Sequence, residues 1–403
     1  MELFWLEHKK LWRKKIVKIC VLLCFVYCVI FGNILWFQWF GFGSSDDYTS
    51  AFGNNFDGYT VIKDSQEYAL SFGGELTDET LQQIVSDYQQ MEADGMEEEL
   101  EKTDWQIVNS WLGTLYPELR DTSNYKTMIS YVDPDKLTGF YERRQQVLDE
   151  FLEVSGQVGA EKEFLHQIER KVEKPFRYEW VEGWSTLLGS MVADLGVVMA
   201  LFLGIVLSSL FAGEWHDNTS TLVLTTRNGW GKIALAKILT GLAFTVELFA
   251  LLAVSNVISQ LFFMGTAGWD MPIQNIKLIA VAPMNMLQAE IYEYAFVLLG
   301  AIGFAGIVMF ISAAVKNNVL TLLLSLAVVY GPMMIAEYLP YGMQKALDLI
   351  PLVGSSTDIF RTNTFRIFGK LIWSPYLLIT IPVLIGILCM PFAIKSWSRR
   401  MKA

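Results

Sequence analysis

Six runs of about twenty mostly apolar residues punctuate the 403-residue chain, and each is long enough to cross a bilayer as a helix. They fall at Ile19 to Phe40, Leu187–Ala212, Ile238–Met264, Tyr294–Val315, Val319–Ala336 and Ile372–Ile394. Hydrophobic residues make up 53% of the chain and charged ones 18%, which points to several spans rather than one anchor. The first run follows Lys9, Lys10, Arg13, Lys14, Lys15 and Lys18. It is long for the apolar core of a signal peptide, and no small-x-small cleavage site precedes the acidic stretch after it. It reads as an uncleaved helix with its N-terminus inside.

Charge divides the chain in two. Residues 41–185 hold 30 Asp and Glu against 12 Lys and Arg, whereas the rest holds 12 acids and 19 bases. A bilayer accounts for this split, because basic residues are retained on the cytoplasmic face while a long acidic loop can be translocated. The expected topology places both termini inside and residues 41–185 outside, at the plasma membrane. Outside the acidic insert, 14 bases then lie inside and five lie outside: Lys277, Lys345, Arg361, Arg366 and Lys370. Arg361, Arg366 and Lys370 all fall in one expected outer loop and run against this pattern. Trp36, Trp39, Trp180, Trp184, Trp269 and Trp373 sit near span ends, as interfacial aromatics do. The fold class expected is an α-helical polytopic membrane protein. It has six transmembrane helices and a mainly helical, α or α+β, extracytoplasmic domain between the first two.

Within residues 1–18, Leu3, Phe4, Leu6, Leu11 and Trp12 alternate with Glu7, Lys9, Lys10, Arg13 and Lys14 at helical spacing. This describes a basic amphipathic helix in the inner interface, in contact with membrane lipids. In the insert, Leu76–Glu101 reads as a helix with Leu81, Ile84, Val85 and Tyr88 on one face, and residues 58–74 read as extended. Asp133-Pro134 reads as a cap followed by a first-turn proline. Phe140, Val147, Phe151 and Val154 continue the periodicity until Gly156 and Gly159, and Leu165, Ile168 and Val172 begin a second helix. Glu97, Glu98 and Glu99 read as a solvated face. Cys20, Cys24 and Cys28 share a helical face, where packing is the plain reading and a soft-metal site the exotic one. Cys389 is the only other cysteine, so the insert holds no disulfide.

No hydrolytic motif is present. The string Gly229-Trp230-Gly231-Lys232-Ile233 lacks the spacing and the hydroxyl of a P-loop. H-E-x-x-H and G-x-S-x-G are absent, and His8, His166 and His216 are scattered. Neither a metal, a cofactor nor a nucleic-acid motif is read on this chain, which does not look like a free-standing enzyme. Three features carry candidate function. Residues 213–237 form a cytoplasmic loop with Glu214, Trp215, cap-type Asp217, Asn218 and Thr219, then Leu222, Leu224 and Arg227. Gly196, Ala200, Gly204, Ser208 and Ala212 recur every four residues and permit close helix approach, within one protomer or at a dimer seam or path wall. Gly300, Gly303 and Gly306 form a less regular set. Asp194, Glu247 and Asn256 are polar groups within spans, where acids are costly and are functional candidates. Glu247 has no evident lysine or arginine partner at its depth.

On Glu214, Thr219, Leu222, Leu224, Arg227 and Lys237-Ile238-Leu239, the chain resembles the permeases of the type-2 ABC exporter superfamily. Asn218 stands where that family's loop pattern has glycine. The basic N-terminal helix, the six spans and the large loop between spans one and two resemble a bacterial subset with ectodomains, although the insert's own sequence is not covered. The resemblance implies a half-size permease that works with a second permease, as a homodimer or heterodimer, and with separate ABC ATPase subunits that bind ATP and Mg. It makes Glu214, Trp215, Thr219, Leu222 and Arg227 a coupling helix seated on the ATPase. The implied cargo is amphipathic or lipophilic: a peptide such as a bacteriocin, a drug or a lipid. A competing reading is a membrane-anchored ectodomain that senses an extracellular ligand without transport. An adjacent P-loop ATPase gene would separate the two. A secondary transporter built on Glu247 lacks an evident inverted repeat.

Overall fold

The computed structural model describes residues 2–27, 66, 73–95, 105–121, 126–216, 231–353 and 363–399. In chain order the elements are α1 (Glu2–Arg13), α2 (Lys15–Val26), β1 (Gly74–Leu76), α3 (Asp78–Ala93), α4 (Trp105–Leu115), α5 (Phe140–Val154), α6 (Ala160–Glu169), β2 (Phe176–Tyr178) and α7 (Glu182–Thr186). There follow α8 (Val192–His216), α9 (Lys232–Met264), α10 (Met286–Ala314), α11 (Asn318–Ile335), α12 (Tyr341–Leu347), β3 (Thr364–Ile367), β4 (Lys370–Trp373) and α13 (Ser374–Arg399). Helices α8, α9, α10, α11 and α13 each contain a stretch long and apolar enough to cross a membrane. The chain is a helical, membrane-embedded protein. Only the start of the first expected span, in α2, lies among the described residues, as do β1 and the helices of the insert from residue 73 onward.

Local chemistry explains where these helices begin and end. Asn285 accepts from the Gln288 amide at 2.9 Å while the Gln288 side chain accepts from the Asn285 amide at 3.2 Å. This reciprocal cap starts α10 eight residues before the expected Tyr294, because it satisfies two of the first-turn donors. Glu290 and Glu293 therefore belong to the helix, and both are buried. Asn317 caps α11 by accepting from the Leu320 amide at 3.0 Å. Helix α3 stops at Ala93 rather than Glu101, because Gly95 adopts a left-handed φ of 72°. Asp133 caps only a short 3-10 turn at Pro134–Lys136, and α5 waits for Phe140. The start of α5 is capped from another helix: the Asp78 carboxylate accepts from the Gly139 and Phe140 amides at 2.6 and 2.9 Å.

The insert packs its own core around Leu81, Ile84, Val85, Trp111, Leu112, Phe140 and Phe176. The antiparallel pair β1–β2 closes it, with Glu75 opposite Arg177. Tyr141 is the pin of this closure. Its hydroxyl donates to Leu76 O at 2.8 Å and accepts from the Phe176 amide at 2.6 Å, and burial pushes it up to about 12.

The insert is fastened to the helix bundle at one end. Trp180 Nε1 donates to Met264 O at 3.3 Å and Trp184 Nε1 to Ala267 O at 2.9 Å, both at the end of α9. Gly268, at φ 78°, has no room for a side chain, since a Cβ there would lie 2.2 Å from Trp180 O. Arg144 is fully buried. It donates to Leu278 O at 2.7 Å, Ala280 O at 3.1 Å and Glu169 Oε1 at 2.6 Å. The hairpin β3–β4, which the sequence reading did not anticipate, adds Thr364 to Gln157 at 2.8 Å and Arg366 to Glu161 at 2.6 Å. These contacts gather at the end of α9 and the starts of α10 and α13. Helix α1 lies at the other end, against the last turns of α8 and the first half of α9.

Candidate functional site

The richest polar cluster sits where α1 meets α8 and α9. Lys237 Nζ donates to Glu214 Oε1 and to Glu7 Oε2, each at 2.8 Å. Lys10 Nζ reaches the same Glu214 oxygen at 2.6 Å, and Lys14 Nζ donates to Ser209 Oγ at 3.0 Å. Glu214 is 3% exposed and Lys237 is 2% exposed at its side chain. Buried charges are tolerated where they are paired and hydrogen-bonded, and here two acids face two bases with Lys237 shared between both carboxylates. Removing one partner of such a buried pair costs about 3–5 kcal/mol. The N-terminal helix is thus locked to the final residues before segment 217–230 and to the first turns after it.

A second contact extends the lock along α9. Glu247 accepts from Trp12 Nε1 at 3.1 Å and lies 3.2 Å from His8 Nε2, and the Trp12 ring meets the Phe244 ring edge-on at 5.7 Å. The sequence leaves Glu247 open between an ion path and a structural hydrogen bond to a neighbouring helix, and it is 44% exposed and partnered by α1. Glu247 stands at the middle of the 33 residues of α9, on the face that α1 covers. Asn256 is buried at 2% exposure, with no hydrogen bond to its Oδ1 among the described residues. The side chain of Asp194 lies outside the described residues.

Trp215 joins three elements rather than lying open. Its ring meets Trp397 of α13 at 6.1 Å, and Lys316, from the α10–α11 connection, stands 4.3 Å over it. Thr219, Leu222 and Arg227 lie outside the described residues, so the full 213–237 pattern is described only at its two ends.

The small-residue stripe packs inside this single chain over most of its length. Ala200 is fully buried, and a Cβ on Gly204 would approach Leu326 and Leu322 of α11 to 3.2 and 3.3 Å. At the level of Ser208, Ser312 of α10 donates to Ser208 O at 2.7 Å and accepts from the Phe211 and Ala212 amides at 3.1 Å. Gly196 has open space where its side chain would be. The tightest approach belongs to the less regular set. A Cβ on Gly303 would lie 2.3 Å from Pro382 O, and one on Gly306 would lie 2.4 Å from Gly386 O, so α10 and α13 meet backbone to backbone.

Sequence reasoning missed the roles of Glu7 and Lys10 and the buried Arg144. One signal was available: Glu7 is the single acid between Leu3 and Lys18 in an otherwise basic segment. Arg144 gave none, since its periodic place in α5 matches any surface arginine. No family model, curated protein or solved structure matches this chain.

Proposed function

We propose that the chain is the permease subunit of an ATP-driven exporter, paired with a second permease and with separate ATPase subunits on the side of α1. Cargo is amphipathic or lipophilic. The observation that carries this reading is the lock of Glu7, Lys10, Glu214 and Lys237. It fastens both ends of the 217–230 connection, and an interfacial helix besides, into one body. A force applied to that connection by a partner would pass directly into α8 and α9. Lys10 and Glu7 make the N-terminal helix part of the same body. The role of the acidic insert is that of an extracytoplasmic domain seated on the far end of the bundle.

The test combines co-purification with two variants. Wild-type protein should retain an ATPase subunit identified by mass spectrometry. Glu214→Gln keeps the side-chain shape and removes the charge that holds Lys10 and Lys237, and Arg227→Ala alters the connection itself. Both should insert normally yet lose cargo-stimulated ATP hydrolysis. Absence of any ATPase subunit from gently solubilised wild-type protein would favour the ligand-sensing reading. Full coupling in both variants would remove the connection from the mechanism.

A further inference from the structure

Helix α1 turns Glu7 and His8 toward the protein and a different set of residues away from it. Its outward face carries Glu2, Trp5, Leu6, Lys9 and Arg13. Trp5 and Leu6 are 62% and 64% exposed. At 100° per residue, Glu2, Lys9 and Arg13 run down the centre of this face, with Trp5 on one flank and Leu6 on the other, so with Lys15 and Lys18 four cations stand against one acid. After the bend at Lys14, α2 continues the pattern. Lys15 and Lys18 are exposed beside Ile16 and Ile19, and the exposed apolar surface runs on through Leu22, Leu23 and Phe25 into the first expected span. Among the described residues Lys9, Arg13, Lys15 and Lys18 make no ion pair, whereas Lys10, Lys14 and Lys237 on the inward side are engaged.

We infer that this outward face of the α1–α2 elbow is a binding site for anionic phospholipid headgroups. The chemistry follows from the arrangement. Four cations set among exposed apolar side chains match a surface that presents phosphates above acyl chains. Continuity with the bare apolar side of α2 puts the face at the boundary of the hydrocarbon, where Trp5 has one apolar side and one polar neighbour. A symmetric contact with a second copy would oppose like charges, so a self-interface is disfavoured. This inference rests on membrane embedding alone and stands whether or not the chain is a permease.

The experiment is native mass spectrometry of the full-length protein released from micelles holding equal amounts of phosphatidylglycerol and phosphatidylcholine. Wild-type protein should retain phosphatidylglycerol preferentially. The variant Lys9→Gln, Arg13→Gln, Lys15→Gln, Lys18→Gln should lose that preference, by about fivefold for each cation near the surface before saturation. All four side chains are exposed, so the variant should keep the wild-type melting temperature. Lys395→Gln, an exposed lysine of α13 at the same end of the bundle, should leave the preference in place. Equal retention of the two lipids by wild-type protein would overturn the inference. So would a preference that survives the fourfold change, or one that Lys395→Gln abolishes equally well.

Discussion

Arg144→Met is the sharpest test of how the insert is held. The guanidinium is fully buried and supplies three bonds, to Leu278 O, Ala280 O and Glu169 Oε1. Methionine replaces the aliphatic stem but supplies no donor. Glu169 keeps Lys174, 2.9 Å away, so its charge is not left bare. Leu278 O loses its side-chain donor, while Ala280 O keeps the Gln274 amide at 3.0 Å. The loss of about 3–5 kcal/mol for a broken buried pair belongs to a charge left uncompensated, and Lys174 prevents that here. What remains is the unsatisfied Leu278 acceptor, so about 1–3 kcal/mol is expected. The assay is hydrogen–deuterium exchange of residues 277–282 and 160–169 in the solubilised protein. If local opening exposes these amides, exchange should speed up at least about fivefold, because about 1.4 kcal/mol is tenfold. Lys171→Met, an exposed neighbour, should change exchange less than threefold. Arg144→Met behaving like Lys171→Met would show that the insert is held by its other contacts and that burial has been overvalued here.

Other outcomes follow from the same geometry. Burial pushes the Glu169 carboxyl up, but hydrogen bonds from Lys174 and Arg144 outweigh it and hold the group below its ordinary 4.5. Its contribution is therefore present above pH 4.5 and lost as pH falls through the lower folded value; the protection factors of residues 160–169, corrected for the intrinsic pH dependence of amide exchange, should fall on acidification, and less so in Glu169→Gln. Gly306→Val should abolish folding or cost more than the usual overpacking loss of about 1–3 kcal/mol, because its neighbour is backbone, while Gly204→Ala meets only leucine methyls and should melt within a few degrees of wild type. Cysteine at Ser86, an exposed position of α3, should be labelled by an impermeant reagent on whole cells, and cysteine at Ser398 only after permeabilisation. Reversed labelling at either would end the assigned sidedness.

What could be read in advance was what depends on local pattern. Apolar runs of span length stand out because lipid demands them, and five of the six reappear as long apolar helices. The helix read through Phe140, Leu148 and Leu152, and the breaks at Gly156 and Gly159, likewise report short-range geometry and recur in α5 and α6, although Phe151 and Val154 of the same apolar pattern are exposed. The start of α10 was misplaced because hydropathy averages over Glu290 and Glu293, whereas the cap at Asn285 decides where the helix begins. The lock was illegible for a different reason. Glu7, Glu214 and Lys237 are separated by 207 and 23 positions, and nothing local marks a lysine that will be buried between two carboxylates. The hairpin β3–β4 escaped notice because Arg366 and Lys370 look like an ordinary charged loop, and Phe368 at its turn is fully exposed. The small-residue sets show the limit of spacing as a guide. The regular stripe on α8 packs against leucine side chains, while the irregular one on α10 meets backbone.

That backbone contact has a consequence for how the bundle can move. Where Gly303 and Gly306 meet Pro382 and Gly386, no side chain separates the two helices and none can change rotamer to absorb a displacement. Sliding or rolling one past the other would drive main-chain atoms together at once. Helices α10 and α13 therefore share their rigid-body freedom and count as a single moving part. Helix α11 is the opposite case. Only 17% of its apolar window is buried, and Val319, Leu323 and Met334 face outward. Among the described helices, compliance therefore lies in α11, while the α10–α13 pair and the body of α1, α8 and α9 each move as a unit.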